Sequence, residues 1–107
     1  MAAGSQTEAM FHNEMLRIYD QAKRECGYNA TRFLQMVTEN GGLNAAKSLL
    51  RATAVSDGLV ELWKHKRLDL TMEALILRSP WRDLFTNEEL ATAETRLRDL
   101  EYSPAAD

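Results

Sequence analysis

One cysteine, Cys26, stands among 107 residues, so no disulfide can form within the chain. That usage points to a reducing compartment, and the cytoplasm is the expectation. No uninterrupted apolar run approaches the roughly 20 residues that span a bilayer, which argues against a membrane protein. The opening MAAGSQTEAM has neither a basic start nor an apolar signal-peptide core, so export is not expected. Positive charge is not in excess: 13 Lys and Arg face 16 Asp and Glu, for a formal net charge of −3. With a pI near 5.4, such a balance disfavours indiscriminate binding to nucleic acid or anionic lipid. Period-two alternation is missing, and no Asn-Gly or Asp-Gly pair links two β-rich runs, so hairpin-built sheets are not expected. Internal repeats and low-complexity segments are absent too.

What the sequence does carry is helical grammar. Hydrophobic residues make up 45% and charged ones 27%, an ordinary soluble composition. A chain of this length can close one core without metal or disulfide. The stretch Tyr28 to Leu50, YNATRFLQMVTENGGLNAAKSLL, reads as a helix, a double-glycine corner and a second helix. Asn29 is placed to cap the first of these through its side-chain oxygen. Tyr28 and Phe33 stand as a hydrophobic staple, and Ala30, Phe33, Leu34 and Val37 form the apolar stripe. Gly41 suits a left-handed C-terminal residue, Gly42 lets the chain turn back, and Leu43, Ala46, Leu49 and Leu50 face inward.

The other helices follow the same logic. A first helix is predicted from about Thr7 to Cys26 on Phe11, Met15, Ile18 and Ala22, closed by Gly27. Cys26 lies on its apolar side and reads as a small buried hydrophobe. Arg51 to Ser56 reads as a connection. Ser56 or Asp57 then caps a helix through about Lys66, with Leu59, Leu62 and Trp63 inward. Gly58 weakens that helix by about 1 kcal/mol relative to alanine, so it needs tertiary support. Another helix is expected after Asp69 or Thr71 on Met72, Leu75 and Ile76. Ser79-Pro80 opens a short turn with Trp81, Leu84 and Phe85 inward, serine capping and proline in the first helical position. Thr86-Asn-Glu-Glu89 is a capping box. The last helix carries Leu90, Ala93, Leu97 and Leu100 inside, with Glu88, Glu94, Arg96, Arg98 and Asp99 on its outer face. The sum is an all-α domain of six or seven short helices over 7–102, built around the helix–GlyGly–helix hairpin, with disordered ends at 1–6 and 103–107.

Catalytic signatures are scarce. There is no phosphate-binding glycine loop, serine elbow or paired-cysteine metal motif. Gly41-Gly42 lacks the lysine and hydroxyl of a phosphate cradle and reads as a corner. Glu61 and His65, and likewise Glu8 and His12, are four apart and share a helix face. Neither pair has the third and fourth ligands that zinc requires, so both read as solvated helix surface. No cofactor and no metal is expected.

The run Trp63-Lys-His-Lys-Arg67 concentrates positive charge. Lys64, Lys66 and Arg67 can contact phosphates or an acidic protein surface, or stabilise the helix dipole. Trp63, placed inward, reads as a core anchor rather than a stacking platform. Asn40 to Leu50 followed by Leu59 to Leu68 loosely resembles a bacterial helix-turn-helix over 42–68, whose second helix would read DNA. The connector Arg51 to Ser56 is longer than the usual turn, and Asp57 and Glu61 at the start of the reading helix would repel phosphates.

A broader resemblance covers Tyr28 to Leu97. YNATRFLQMV, the GG corner with AAKSLL, SDGLVELW, RLDLTMEALIL and LFTNEEL resemble a family of small, largely uncharacterised bacterial proteins. Its members occur alone or as a terminal segment of larger proteins, some of them similar to nucleases or restriction-type defence proteins. The resemblance implies a compact helical accessory module and brings no catalytic residues with it. The expectation is a non-enzymatic helical module of a bacterial cytoplasmic system that meets a protein partner. Its contact residues are Lys64, Lys66 and Arg67, with Arg32 and Arg51 added if the hairpin brings them near. The alternative is a small DNA-binding regulator or nuclease accessory using 42–68. Oligomeric state stays open, with Leu16 and Val60 as candidates for a dimer surface.

Overall fold

Phe11, Met15, Ile18 and Ala22 all sink into the interior, and the helix that carries them sets the length of the molecule. This first helix, α1, spans Ala3–Cys26; its 24 residues reach about 36 Å, against a long axis of 41 Å. The computed structural model describes residues 3–52 and 57–102. α1 thus starts four residues ahead of the expected Thr7, because Ala3 to Gln6 contain no proline to stop it. Gly27 ends it with φ +68°, its N–H donating to the Lys23 carbonyl at 3.1 Å.

Next come α2 (Thr31–Asn40) and α3 (Gly42–Arg51), the expected hairpin, both packed on α1. Three local expectations are corrected here. Asn29 does not cap α2, which starts one residue later with Ala30 at the cap position. The Asn29 Oδ1 instead accepts from the Tyr19 hydroxyl at 2.5 Å, a tertiary bond across to α1 that takes the oxygen away from the helix end. With that shift Tyr28 and Phe33 no longer occupy the staple positions. Gly41 has the expected positive φ, +87°, but with ψ 152° it leaves the left-handed helical well for a region open essentially to glycine alone.

Gly42 does more than turn the chain. It is buried against α1, where an added Cβ would stand 2.7 Å from the His12 Cα. Its N–H donates to His12 Nδ1 at 2.9 Å. The imidazole from α1 therefore caps α3 in place of a side chain of α3 itself, and His12 is half-buried rather than part of a solvated face.

The fourth helix, α4, covers Asp57–Lys64, two residues short of the expected end; a cap at Ser56 lies outside the described residues. A short 3₁₀ turn at Leu68–Leu70 leads into α5, Met72–Ile76. Thr71 caps α5 by accepting from the Ala74 N–H at 3.1 Å, and every residue of α5 is buried. A second 3₁₀ turn at Trp81–Leu84 follows, with Pro80 at its cap position rather than inside it. Trp81 and Phe85 pack on Phe11 with ring centroids 5.9 and 5.6 Å away, so the inward placement holds.

The capping box of the last helix, α6 (Asn87–Asp99), forms as the sequence predicts. Thr86 N–H donates to Glu89 Oε1 at 2.9 Å, and Glu89 N–H to Thr86 Oγ1 at 3.1 Å. Partial burial pushes the Glu89 carboxyl up, but the bonds from Lys47 and Thr86 outweigh it and hold its pKa below the ordinary value. Among the described residues the protein is all-α, with six α-helices and no strand. One apolar cluster draws on all six α-helices, and a second joins Ala22, Leu62 and Leu70 with Cys26 beside them. Cys26 is half-covered, not fully buried.

Arg96 is the largest departure from the pattern. Expected on the outer face of α6, it is drawn inside with a side chain 10% exposed, against 3% for its partner Glu73. Its guanidinium donates to Glu73 Oε2 and the Leu49 carbonyl, each at 3.1 Å, and to the Ala52 carbonyl at 2.8 Å. Arg96 thus ties α6 to α5 and caps the C-terminal end of α3. Burial drives the Glu73 pKa above the ordinary value, more than the Arg96 bond lowers it.

Candidate functional site

Leu59 and Leu62, three apart on α4, form its buried line, and Leu62 packs on Ala22 and Leu70. Val60 and Trp63, also three apart, lie roughly 100° further round the helix. They are 37% and 47% exposed. The expectation that Trp63 is a core anchor is therefore overturned. A helix of two turns presents one narrow inner line, and Leu62 already fills it. The signal was legible in the spacing: a residue directly after a buried one on a helix falls well to its side.

The end of α4 is shaped by backbone geometry. Lys66 has φ +60°, unusual for a side-chain-bearing residue, and the Arg67 N–H returns to the Leu62 carbonyl at 2.8 Å. The reversal leaves Lys64, His65 and Lys66 exposed beside Trp63 and swings Arg67 the other way. Arg67 forks onto Asp69, at 3.1 and 3.2 Å, and also bonds Glu25 of α1. The Asp69 and Glu25 bonds raise the Arg67 pKa, and the Arg67 bond, with one from Gln21, holds Glu25 below the ordinary value. Arg67 is therefore engaged within the molecule, fastening α4 to α1.

The remaining basic residues separate. Lys64 lies 3.7 Å from Glu61, so that carboxylate faces a lysine rather than His65. The Lys66 N–H donates to the Trp63 carbonyl at 3.0 Å, and its ammonium has no hydrogen-bond or ion-pair partner among the described residues. Arg51 ends α3, exposed, with a 3.3 Å bond to Ser48 Oγ. Arg32 is exposed on α2 at the mouth of a cavity of about 450 Å³ between α1, α2, α3 and α4. Among the described residues no three His, Cys, Asp or Glu side chains gather to hold a metal.

The surface that results is small and mixed: two apolar side chains, Val60 and Trp63, bordered by Lys64, His65 and Lys66. Such a patch offers contact area and positive charge. It holds no nucleophile–base pair and no convergent acid and base. No protein-family model, curated protein or solved structure matches the chain. Among the described residues no helix is long and apolar enough to cross a membrane.

Proposed function

We propose that this protein is a non-enzymatic interaction module that meets an acidic protein surface through the outer face of α4. The observation that carries the reading is Trp63, 47% exposed beside Val60 and flanked by Lys64 and Lys66. Tryptophan buries much apolar area for little lost rotamer freedom, and binding energy concentrates on such residues at the centre of interfaces. Lysines at the rim steer an acidic partner and contribute more to the rate of encounter than to its lifetime. Arg67 holds the face in position, and Arg32 and Arg51 serve other surroundings. The resemblance and the single cysteine support a bacterial cytoplasmic setting.

A second reading is favoured by the same ring. With Trp63 outward, a base can stack on it while Lys64 and Lys66 meet phosphates, which suits single-stranded nucleic acid. The helix-turn-helix alternative over 42–68 makes a neighbouring prediction for duplex DNA.

Comparative capture from a host lysate, followed by purified binding, separates these. Trp63→Ala and Lys64→Glu/Lys66→Glu should each abolish binding of a partner that the wild type and an α6 surface control, Glu94→Lys, retain. Capture unchanged by Trp63→Ala would overturn the reading. Binding to an oligonucleotide that falls steeply with salt would replace it with the nucleic-acid one.

A further inference from the structure

Side chains of both apolar clusters line one open pocket. Ile18, Leu59 and Met72 of the main cluster and Ala22, Leu62 and Leu70 of the smaller one all face the same space of about 450 Å³. A volume of this size falls within the roughly 300–1,000 Å³ of small-molecule sites. Phe33, Met36 and Leu49 line it and are only partly buried, so the hairpin leaves apolar surface facing the opening.

The polar groups around the cavity decide what fits. The Tyr19 hydroxyl is committed to Asn29 at 2.5 Å. Thr71 is used twice, donating to the Leu68 carbonyl at 2.6 Å and accepting from Ala74. Glu73 is spent on Arg96, which also neutralises its charge. Arg32 differs: it lines the mouth, is exposed, and has no partner among the described residues. Apolar walls with one uncommitted guanidinium at the entrance define an amphipathic site with a single charged end.

We infer that this cavity binds a medium-chain carboxylate, its hydrocarbon body between Phe33, Met36 and Leu49 and its carboxylate on Arg32. Guanidinium and carboxylate pair in a planar two-bond geometry that an ammonium or hydroxyl head cannot reproduce. From α4 only Gly58, Leu59 and Leu62 line the pocket, so the site is distinct from the Val60–Trp63 surface.

The test is a titration of the purified chain, followed by amide and methyl NMR, with octanoate, decanoate, decanol and decyltrimethylammonium below their micellar concentrations. Decanoate should shift Phe33, Met36 and Leu49 saturably, and each added methylene should tighten binding about fourfold. Arg32→Gln should weaken decanoate about fivefold and leave decanol unchanged, as expected for an exposed ion pair. Met36→Trp, which fills the cavity, should abolish both; Trp63→Ala should change neither. No saturable shift at millimolar decanoate overturns the inference. Equal binding of all three heads, or decanoate binding that survives Arg32→Gln intact, overturns the carboxylate assignment and with it the proposal.

Discussion

Replacing Arg96 by methionine strikes a buried charge that joins three helices. The substitution keeps a long apolar stem but removes the guanidinium that serves Glu73 and the Leu49, Leu50 and Ala52 carbonyls. Removing one member of a buried pair costs about 3–5 kcal/mol, because the other charge stays behind without compensation. A domain of this kind has only about 5–15 kcal/mol in total, so the variant should be severely destabilised near pH 7. Glu73 has an escape, however. Burial already raises its pKa above the ordinary carboxyl value of 4.5, and losing Arg96 raises it further. A carboxyl whose folded-state pKa lies above its unfolded value contributes stability that is fully present below about 4.5 and lost as pH rises through the folded value. The Arg96→Met penalty should therefore be largest near neutrality and shrink as pH falls toward 4.5. Urea unfolding followed by far-ultraviolet circular dichroism, wild type against variant at about pH 7 and about pH 5, measures it. A Glu73→Met/Arg96→Met double variant should recover part of the loss, since no charge is then left stranded. A penalty under about 1 kcal/mol, or one equal at both pH values, would refute the reasoning.

Gly42→Ala should destabilise by about 1–3 kcal/mol, because the new methyl group meets the His12 backbone at 2.7 Å and backbone cannot swing aside. His12→Ala, which only removes the acceptor for the Gly42 N–H, should cost about 1 kcal/mol; a Gly42→Ala loss smaller than that would show that α1 and α3 slide freely. Thr86→Ala should lower stability by about 0.5–2 kcal/mol in thermal or urea melts, as for other lost helix caps. Glu89 is held below the ordinary carboxyl value of 4.5, so its contribution is present above that pH and fades as pH falls through the depressed folded value. Glu89→Gln should flatten that acid limb of the stability curve.

Much of the fold was legible because it is written locally. The Phe11–Met15–Ile18–Ala22 stripe and the Thr86–Glu89 box are decided within three or four residues and form in the predicted place, and of the two starts offered for α5, Asp69 and Thr71, the structure takes Thr71. The candidate site was legible only in part. Lys64 and Lys66 stand exposed where the basic run suggested contact, whereas Trp63 turned outward and Arg67 turned toward Glu25 and Asp69.

By itself the sequence determined that this chain is helical, roughly where several of its helices lie, and that no disulfide forms within it. Tertiary structure alone decided what the long and polar side chains do. His12 crosses to cap α3, Asn29 leaves its own helix for Tyr19, and Arg96 abandons the solvent face for Glu73 and the end of α3. The physical reason is range: a helix stripe or a cap is satisfied by neighbours along the chain. An unpaired N–H, carbonyl or buried carboxylate is instead satisfied by whichever side chain packing brings within about 3 Å, from any distance in sequence.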